Sequence, residues 1–432
     1  MLPEVLTEIP GPASLRLARE LRRYESHNVT CVAGDWPVFW ERAEGVNVWD
    51  ADGNRFLDLT SAFAVAGLGH NPPELVEVVS RQAFQLLHGM GDVHPTALKV
   101  ELCRQLSAMT YERWGAGAGK VVLSSSGFEA VETALKTAHL ATGRREVLAF
   151  EGGYHGLGYG ALLPGGFGKF RQPFESQLAG ELTTFLPYPR TLDELQPLCD
   201  RLEQVDAAEV SAVVVEPIQG RGGIVVPPEG FLQLLRDWCD NEGVLLVFDE
   251  IFTGFNRSGA LFACEHDSVI PDLICLGKAM SGGFPISACV GKTLVMDAWP
   301  ESRGEALHTS TFLGHPVGCA MALEALKMHQ EERTAEAVES LARKLPDRVR
   351  AAELAGVVDI RGRGAMWGLQ FENEAMPAHL MKEMLQKGYF LLPAGQRGEV
   401  LSLTPPFAIA EEEIEACVAA LEGACRVGRG YE

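Results

Sequence analysis

The segment Val244-Leu245-Leu246-Val247-Phe248 has no polar face. Successive side chains of a strand point to opposite sides, so a strand that is apolar throughout must be covered on both. Parallel sheets held between helices provide that cover. Comparable short runs recur at 120–124, 146–150, 210–215, 272–276 and 287–291, with 244–249 completing the set. Helix-patterned segments such as 230–241 lie between several of them. The alternation predicts an α/β fold on a mainly parallel sheet.

Two regions flank this core. Residues 11–24 are expected to form a helix, and 46–59 a pair of strands turned at Asp52-Gly53-Asn54. Beyond about 325 the pattern becomes a long helical stretch over 323–355, a strand over 357–371, a helix over 377–387, two short strands and a final helix from Glu411. A chain of 432 residues exceeds one ordinary core. The expected division is a large domain, 61–325, and a smaller α+β C-terminal domain, 326–432, with an N-terminal segment, 1–60, packing on the smaller one.

Charge and cysteines narrow the function. Against 58 acidic residues stand 37 basic ones, a formal charge of −21. Such a chain repels phosphate backbones at long range, which argues against nucleic acid as a partner. Ten cysteines are scattered with no C-x-x-C pair, and Cys239, Cys275 and Cys289 lie in apolar stretches. A reducing cytoplasm fits this better than a disulfide framework, and no metal site is expected. The opening Met1-Leu2-Pro3-Glu4-Val5 lacks a basic stretch followed by an apolar one. No apolar run reaches the roughly 18–20 residues that span a bilayer, so no membrane partner is expected.

Three motifs carry candidate chemistry, each coming after a strand. Leu123-Ser124-Ser125-Ser126-Gly127-Phe128-Glu129 opens a helix. Small residues there expose N–H groups that favour an anion; the plain alternative is a serine cap. Val247-Phe248-Asp249-Glu250 ends a strand in two acids, of which Asp249 either meets a buried cationic nitrogen or merely caps the next turn. Leu276-Gly277-Lys278-Ala279-Met280 sets a lysine among apolar neighbours before the Gly282-Gly283 turn. Desolvation there would lower the amine pKa and free it as nucleophile and base; otherwise it is a surface lysine. Gly220-Arg221-Gly222-Gly223 is not the G-x-G-x-x-G of a dinucleotide site, and Gly277-Lys278 lacks the rest of a Walker loop. An anion cradle, a carboxylate and a lysine at three strand ends suit pyridoxal phosphate (PLP), whose phosphate, ring nitrogen and aldehyde need such partners.

The stretches Ser126-Gly127-Phe128-Glu129-Ala130-Val131-Glu132, Val215-Glu216-Pro217-Ile218-Gln219-Gly220, Asp249-Glu250-Ile251-Phe252-Thr253-Gly254-Phe255, Leu276-Gly277-Lys278 and Thr309-Ser310-Thr311-Phe312 resemble, in order, the signatures of class III (ω-type) aminotransferases. The resemblance runs from Val46-Asn47-Val48-Trp49-Asp50 to Leu403-Thr404-Pro405-Pro406. It implies the PLP-dependent transferase fold type I. It further implies that Ser126, Gly127 and Phe128 bind the phosphate, that Tyr154 stacks on the pyridine ring, and that Ile251 packs on the other face. Glu216 would help position Asp249 or the ring. Asp249 would hold the pyridine nitrogen protonated, and Lys278 would form the Schiff base and then shuttle protons. Thr311 would reach the phosphate of a neighbouring subunit, which implies a homodimer with shared sites.

Departures from the family pattern bear on substrate. Many members have Gln where Phe252 stands. Many also have an Arg where Ser402 stands, gripping a substrate α-carboxylate, and a Glu where Arg221 stands, pairing with that Arg. Both are replaced here. Either the clamp is gone because the substrate lacks an α-carboxylate, or the positive charge has moved to Arg221, whose planar guanidinium suits a carboxylate. The implied function is ping-pong transfer of an amino group from a primary amine or ω-amino donor to a keto acid or aldehyde acceptor. An aminomutase or racemase, and a catalytically silent scaffold, are the alternatives.

Overall fold

The computed structural model describes residues 1–427. In chain order its strands are β1 (Trp40–Glu44), β2 (Asn47–Asp50), β3 (Arg55–Asp58), β4 (Gly119–Ser124), β5 (Glu146–Phe150), β6 (Thr183–Leu186), β7 (Val210–Val215), β8 (Leu245–Asp249), β9 (Leu273–Leu276), β10 (Ser287–Lys292), β11 (Val357–Arg363), β12 (Met366–Phe371), β13 (Tyr389–Phe390), β14 (Leu392–Ala394) and β15 (Val400–Leu403). Seven form the central sheet in the order β4-β10-β9-β8-β7-β5-β6. Pairing is parallel from β6 to β9, and β10 is antiparallel to both β9 and β4, so only β10 runs against the rest.

The doubly apolar runs behave as their pattern requires. Every residue of β7 and β9 is buried. Alternate residues enter two separate cores: Val213, Leu246, Phe248 and Ile274 face one, Ala212, Val214, Val247 and Leu273 the other. The helix Phe231–Glu242 closes the first with Phe231, Leu232, Leu235 and Cys239. The helix Gly127–Thr142 closes the second with Ala130, Val131, Ala134 and Ala138. Each fully buried Phe or Leu contributes about 1.5–3 kcal/mol, so a polar substitution on either face would open one core. The small Ala side chains let the second helix lie close to the sheet, which fixes where its N-terminus points.

Around this body, β11, β12, β15 and β14 form an antiparallel sheet. A third sheet joins β1, β2 and β3 to β13, where Tyr389 and Phe390 pair with Leu57 and Asp58 in parallel. Val46, Leu57 and Leu59 share a core with Leu341, Leu380, Leu401 and Leu421. The N-terminal strands therefore pack with C-terminal elements.

Three expectations for the C-terminal part need correction. The helical stretch over 323–355 is two helices, Pro316–His329 and Glu332–Ala351, because Glu331 is extended (ψ 141°) and restarts the second. The strand over 357–371 is the hairpin β11–β12. It turns at Gly364, whose φ of 62° favours glycine and whose added Cβ would lie 2.2 Å from the Gly259 nitrogen. The two short strands are three, β13, β14 and β15. The short β6, half polar, carries too weak a pattern to be anticipated.

Among the described residues, no helix is long and apolar enough to cross a membrane. No group of three or more His, Cys, Asp or Glu side chains there is placed to hold a metal ion.

Candidate active site

Parallel strands deliver their carboxyl ends to one edge, and the loops leaving those ends line a cavity of about 510 Å³. Gly127 and Phe128 come after β4; Tyr154, His155, Gly156 and Leu157 after β5; Glu216, Gly220 and Arg221 after β7. Asp249, Ile251 and Phe252 come at and after the end of β8, and Lys278 after β9. Thr60, Phe63, Leu392, Pro393, Ala394, Ser402 and Thr404 close the far side. Apart from Thr311 and Ser126, the site residues singled out in the sequence meet here.

Ser126 starts the helix Gly127–Thr142. Its hydroxyl donates to Glu129 Oε2 at 2.8 Å, and the same oxygen accepts from the Ser125 and Ser126 N–H groups at 3.1 and 2.7 Å. The Ser126 carbonyl accepts from Ser287 Oγ at 2.6 Å. Ser126 is thus turned to its own turn rather than to the cavity. The N–H groups of Gly127 and Phe128 have no intrahelical acceptor in this first turn, at the positive end of the helix dipole. A Cβ on Gly127 would lie 3.0 Å from Ile251 Cδ1, so glycine lets the cradle and the Ile251 wall approach.

Asp249 is 4% exposed. Its Oδ1 accepts from Ile251 N at 3.0 Å, and its Oδ2 lies 2.8 Å from His155 Nδ1. Burial alone would push His155 down, but the hydrogen bond and charge of Asp249 outweigh it and hold the imidazole above its ordinary value. The sequence does not single out His155, although it sits within Gly153-Tyr154-His155-Gly156; only the fold brings it to Asp249.

Glu216 ties two loops. Its Oε1 accepts from Tyr154 N at 2.8 Å and its Oε2 from Gly220 N at 3.0 Å. Burial raises its pKa to about 7, with the neighbouring Asp249 adding to the rise and His155 and the two N–H groups opposing it.

Lys278 opens partly to the cavity while lying deep in the body. Its amine makes no hydrogen bond or ion pair among the described residues and sits 4.7 Å from the Phe252 ring centroid. Burial lowers its pKa, while Asp249 and Glu216 favour its charge and Arg221 opposes it. A desolvated amine with no partner among the described residues is poised to act as a nucleophile.

Arg221 rests its guanidinium over Tyr154 and Phe170, 4.9 and 5.1 Å from their centroids, and is in no ion pair among the described residues. Lys278 and Arg221 are the lysine and arginine side chains that line the cavity; Ser402 and Leu157 add no charge. Phe170 is a second residue the sequence does not flag, because its segment carries no motif. Thr311 is exposed and lies outside this cavity.

The donor set suits PLP: free N–H groups for a phosphate, a buried carboxylate for a ring nitrogen, and an unpartnered amine for an aldehyde. Comparison with known proteins agrees. The model of the class III aminotransferases matches residues 31–425. The chain is 35% identical to a 4-aminobutyrate aminotransferase of Mycobacterium leprae, over 95% of each chain. It is 36% identical to an acetylornithine aminotransferase of Methanopyrus kandleri, over 90% of this chain and 95% of that one. Its fold is similar to a PLP-bound amine transaminase from an uncultivated Pseudomonas species, with a TM-score of 0.85 and 27% identity, over 94% of this chain and 98% of the other.

Proposed function

This chain belongs to the class III aminotransferases, and on that footing we propose that its amino acceptor bears a carboxylate received by Arg221. The protein is a PLP-dependent aminotransferase. The donor is a primary amine or ω-amino compound, the acceptor a keto acid or aldehyde, and the two react in turn.

The family resemblance assigns the following roles, and the geometry of the cavity supports them. The Gly127 and Phe128 N–H groups bind the phosphate, and Ser126 holds that turn in shape. Asp249, fixed by His155 and the Ile251 N–H, keeps the ring nitrogen protonated. Tyr154 and Ile251 face the ring, and Glu216 holds the Tyr154 and Gly220 loops around it. Bound PLP supplies an electron sink for the pair left when the substrate Cα–H bond breaks. Lys278 holds the cofactor aldehyde, and its amine then moves the Cα proton.

The observation that carries the Arg221 assignment is that this guanidinium lines the cavity without an ion pair among the described residues. Its aromatic rest keeps it ready without neutralising it. Phe63, Phe128, Leu157, Phe252 and Leu392 leave the remaining wall apolar, suiting a hydrocarbon body on the amine donor. Arg221→Ala tests the assignment through both half-reactions, monitored by the loss and return of cofactor absorbance. The reaction with a keto acid such as pyruvate or 2-oxoglutarate should weaken ten- to a hundredfold, about 1.5–3 kcal/mol, while that with an uncharged amine is spared. Equal effects on both halves, or none, would make Arg221 structural.

The proposal extends to assembly and setting. Phe84, Leu87, Met90, Val93 and Phe312 are exposed apolar side chains. His88 packs on Phe312, and Thr309 bonds Asp92, so 84–93 and 309–312 form one face that includes Thr311. A second copy covering it would bring Thr311 to the partner's phosphate. The working division is the large domain 61–325, with 1–60 and 326–432 as its smaller companion. Ten free cysteines, most of them buried, favour a reducing cytoplasm.

A further inference from the structure

Lys278 sits in a backbone conformation that a non-glycine residue avoids, with φ at 39°. It begins the short turn Lys278–Met280, closed internally by Met280 N–H donating to Gly277 O at 2.8 Å. Something outside must hold such a turn, because relaxing φ to the ordinary region would swing the side chain out of the cavity.

The outside tie comes from the last residue of the helix Pro316–His329. His329 is 3% exposed and places Nε2 3.1 Å from the Ala279 carbonyl oxygen. A carbonyl only accepts, so Nε2 carries the hydrogen and Nδ1 is left as an acceptor, 3.4 Å from Asn256 Nδ2. The Asn256 amide also donates to the His329 carbonyl at 2.8 Å. Phe255 lies against the ring at 5.4 Å, tilted by 36°. Burial, reinforced by the charge of Arg257, takes the imidazole down to about 4 despite the Ala279 bond, so it is a neutral donor across the working range. The ring is fixed on two sides and presents one N–H to the residue beside Lys278.

We propose that His329 is a positioning residue for Lys278, its Nε2–H to Ala279 bond holding the strained turn that aims the amine into the cavity. This rests on Lys278 being the cofactor lysine. His329 touches neither substrate nor cofactor and acts through the backbone alone. Removing its donor lets the turn sample relaxed conformers, in which the amine points away. Both the speed at which Lys278 captures the cofactor aldehyde and the proton transfer should fall together. Binding of substrate, which uses other side chains, should not.

The test compares His329→Phe, which keeps a ring but has no donor, with His329→Gln, which keeps a donor. PLP is added to the cofactor-free proteins over a series of pH values, trapped by borohydride, and the label at Lys278 quantified by peptide mass. The pH series is needed because Asp249, Glu216 and Arg221 face the amine and set its charge. In the phenylalanine variant, capture and kcat should each drop about tenfold, the worth of one buried hydrogen bond, with KM little changed and the glutamine variant partly restored. Wild-type capture in His329→Phe overturns the proposal, as does an equal loss in both variants that tracks lowered melting. Should the phenylalanine variant not fold, His329→Leu, which likewise has no donor for the Ala279 carbonyl, takes its place, and wild-type capture there overturns the proposal equally. Lys278→Ala is run alongside: label elsewhere in that protein at the wild-type rate would refute the lysine assignment itself, separately from His329.

Discussion

Glu216→Gln should remove a pH dependence from the stability of the protein. Glu216 is 5% exposed, and its pKa is raised by burial to about 7 from an ordinary 4.5. That rise corresponds to about 3 kcal/mol between the protonated and ionised forms, at roughly 1.36 kcal/mol per pH decade. Linkage sets the sign. An acid whose folded pKa lies above its unfolded one lends stability that is complete below the unfolded value. That stability is lost as pH rises through the folded value. Wild type minus variant should therefore fall from about pH 4.5 to about pH 7 and then level off. The amide cannot accept from both Tyr154 N and Gly220 N, but that loss is a constant offset with no pH dependence. Thermal unfolding of both cofactor-free proteins across this range reads the effect. For a cooperative chain of this length, about 3 kcal/mol moves the midpoint difference by about 3 °C. A difference flat in pH, or one growing with pH, would refute the assignment of the raised pKa to burial of this carboxyl.

Lys278→Ala should abolish steady turnover while PLP still binds, checked by cofactor absorbance and by product assay; near-normal turnover would show the wrong lysine. Asp249→Asn should bind PLP but react slowly, with several kcal/mol lost from the proton-transfer step, about the size of a preorganised electrostatic contact. An unchanged rate and Cα isotope effect would count against it. Gly156→Ala should lower cofactor affinity, because its φ is 110° and the added methyl would lie 2.3 Å from Phe128 Cβ; equilibrium titration with PLP measures it. Sedimentation at assay concentration should show a dimer, and an active monomer would remove the basis for Thr311 acting across an interface.

The strands that carry the site are the most legible part of the chain, because a strand buried on both faces leaves no choice of residue type. β5 and β7 match their sequence windows to the residue, and β8 and β9 begin one residue late. Legibility falls where pattern and geometry part. The hairpin β11–β12 reads as one strand because Gly364 marks its turn only by a positive φ. At the site, Lys278 and Asp249 stand out because each is polar at the end of an apolar run. His155 does not, since a histidine among glycines has no periodic signature and its partner is 94 residues away. His329 closes a helix with no motif at all, and only the turn at Ala279 gives it meaning.

On the proposed roles, charge at the cavity lets one arginine serve two unlike substrates. Asp249 and Glu216 bring carboxyl groups, Lys278 and Arg221 bring basic nitrogens, and the proposed phosphate cradle relies on backbone N–H groups rather than on a further lysine. An incoming carboxylate thus finds one arginine with no ion pair among the described residues. When an uncharged amine occupies the cavity instead, Arg221 keeps its place over Tyr154 and Phe170, where the rings return about 0.5–1 kcal/mol each at a solvent-open site. That hold is weaker than the roughly 1.5–3 kcal/mol of a charge-assisted hydrogen bond, so a carboxylate can draw the guanidinium away without a large penalty. The aromatic rest also spares the guanidinium from pairing with Glu216, whose two oxygens are already taken by Tyr154 N and Gly220 N. On the proposed roles, discrimination between donor and acceptor then comes from the difference between those two small numbers. Because the rest competes with an incoming carboxylate, Phe170→Leu should raise affinity for carboxylate acceptors slightly, measured in the keto-acid half-reaction, and a lowered affinity would refute the competition.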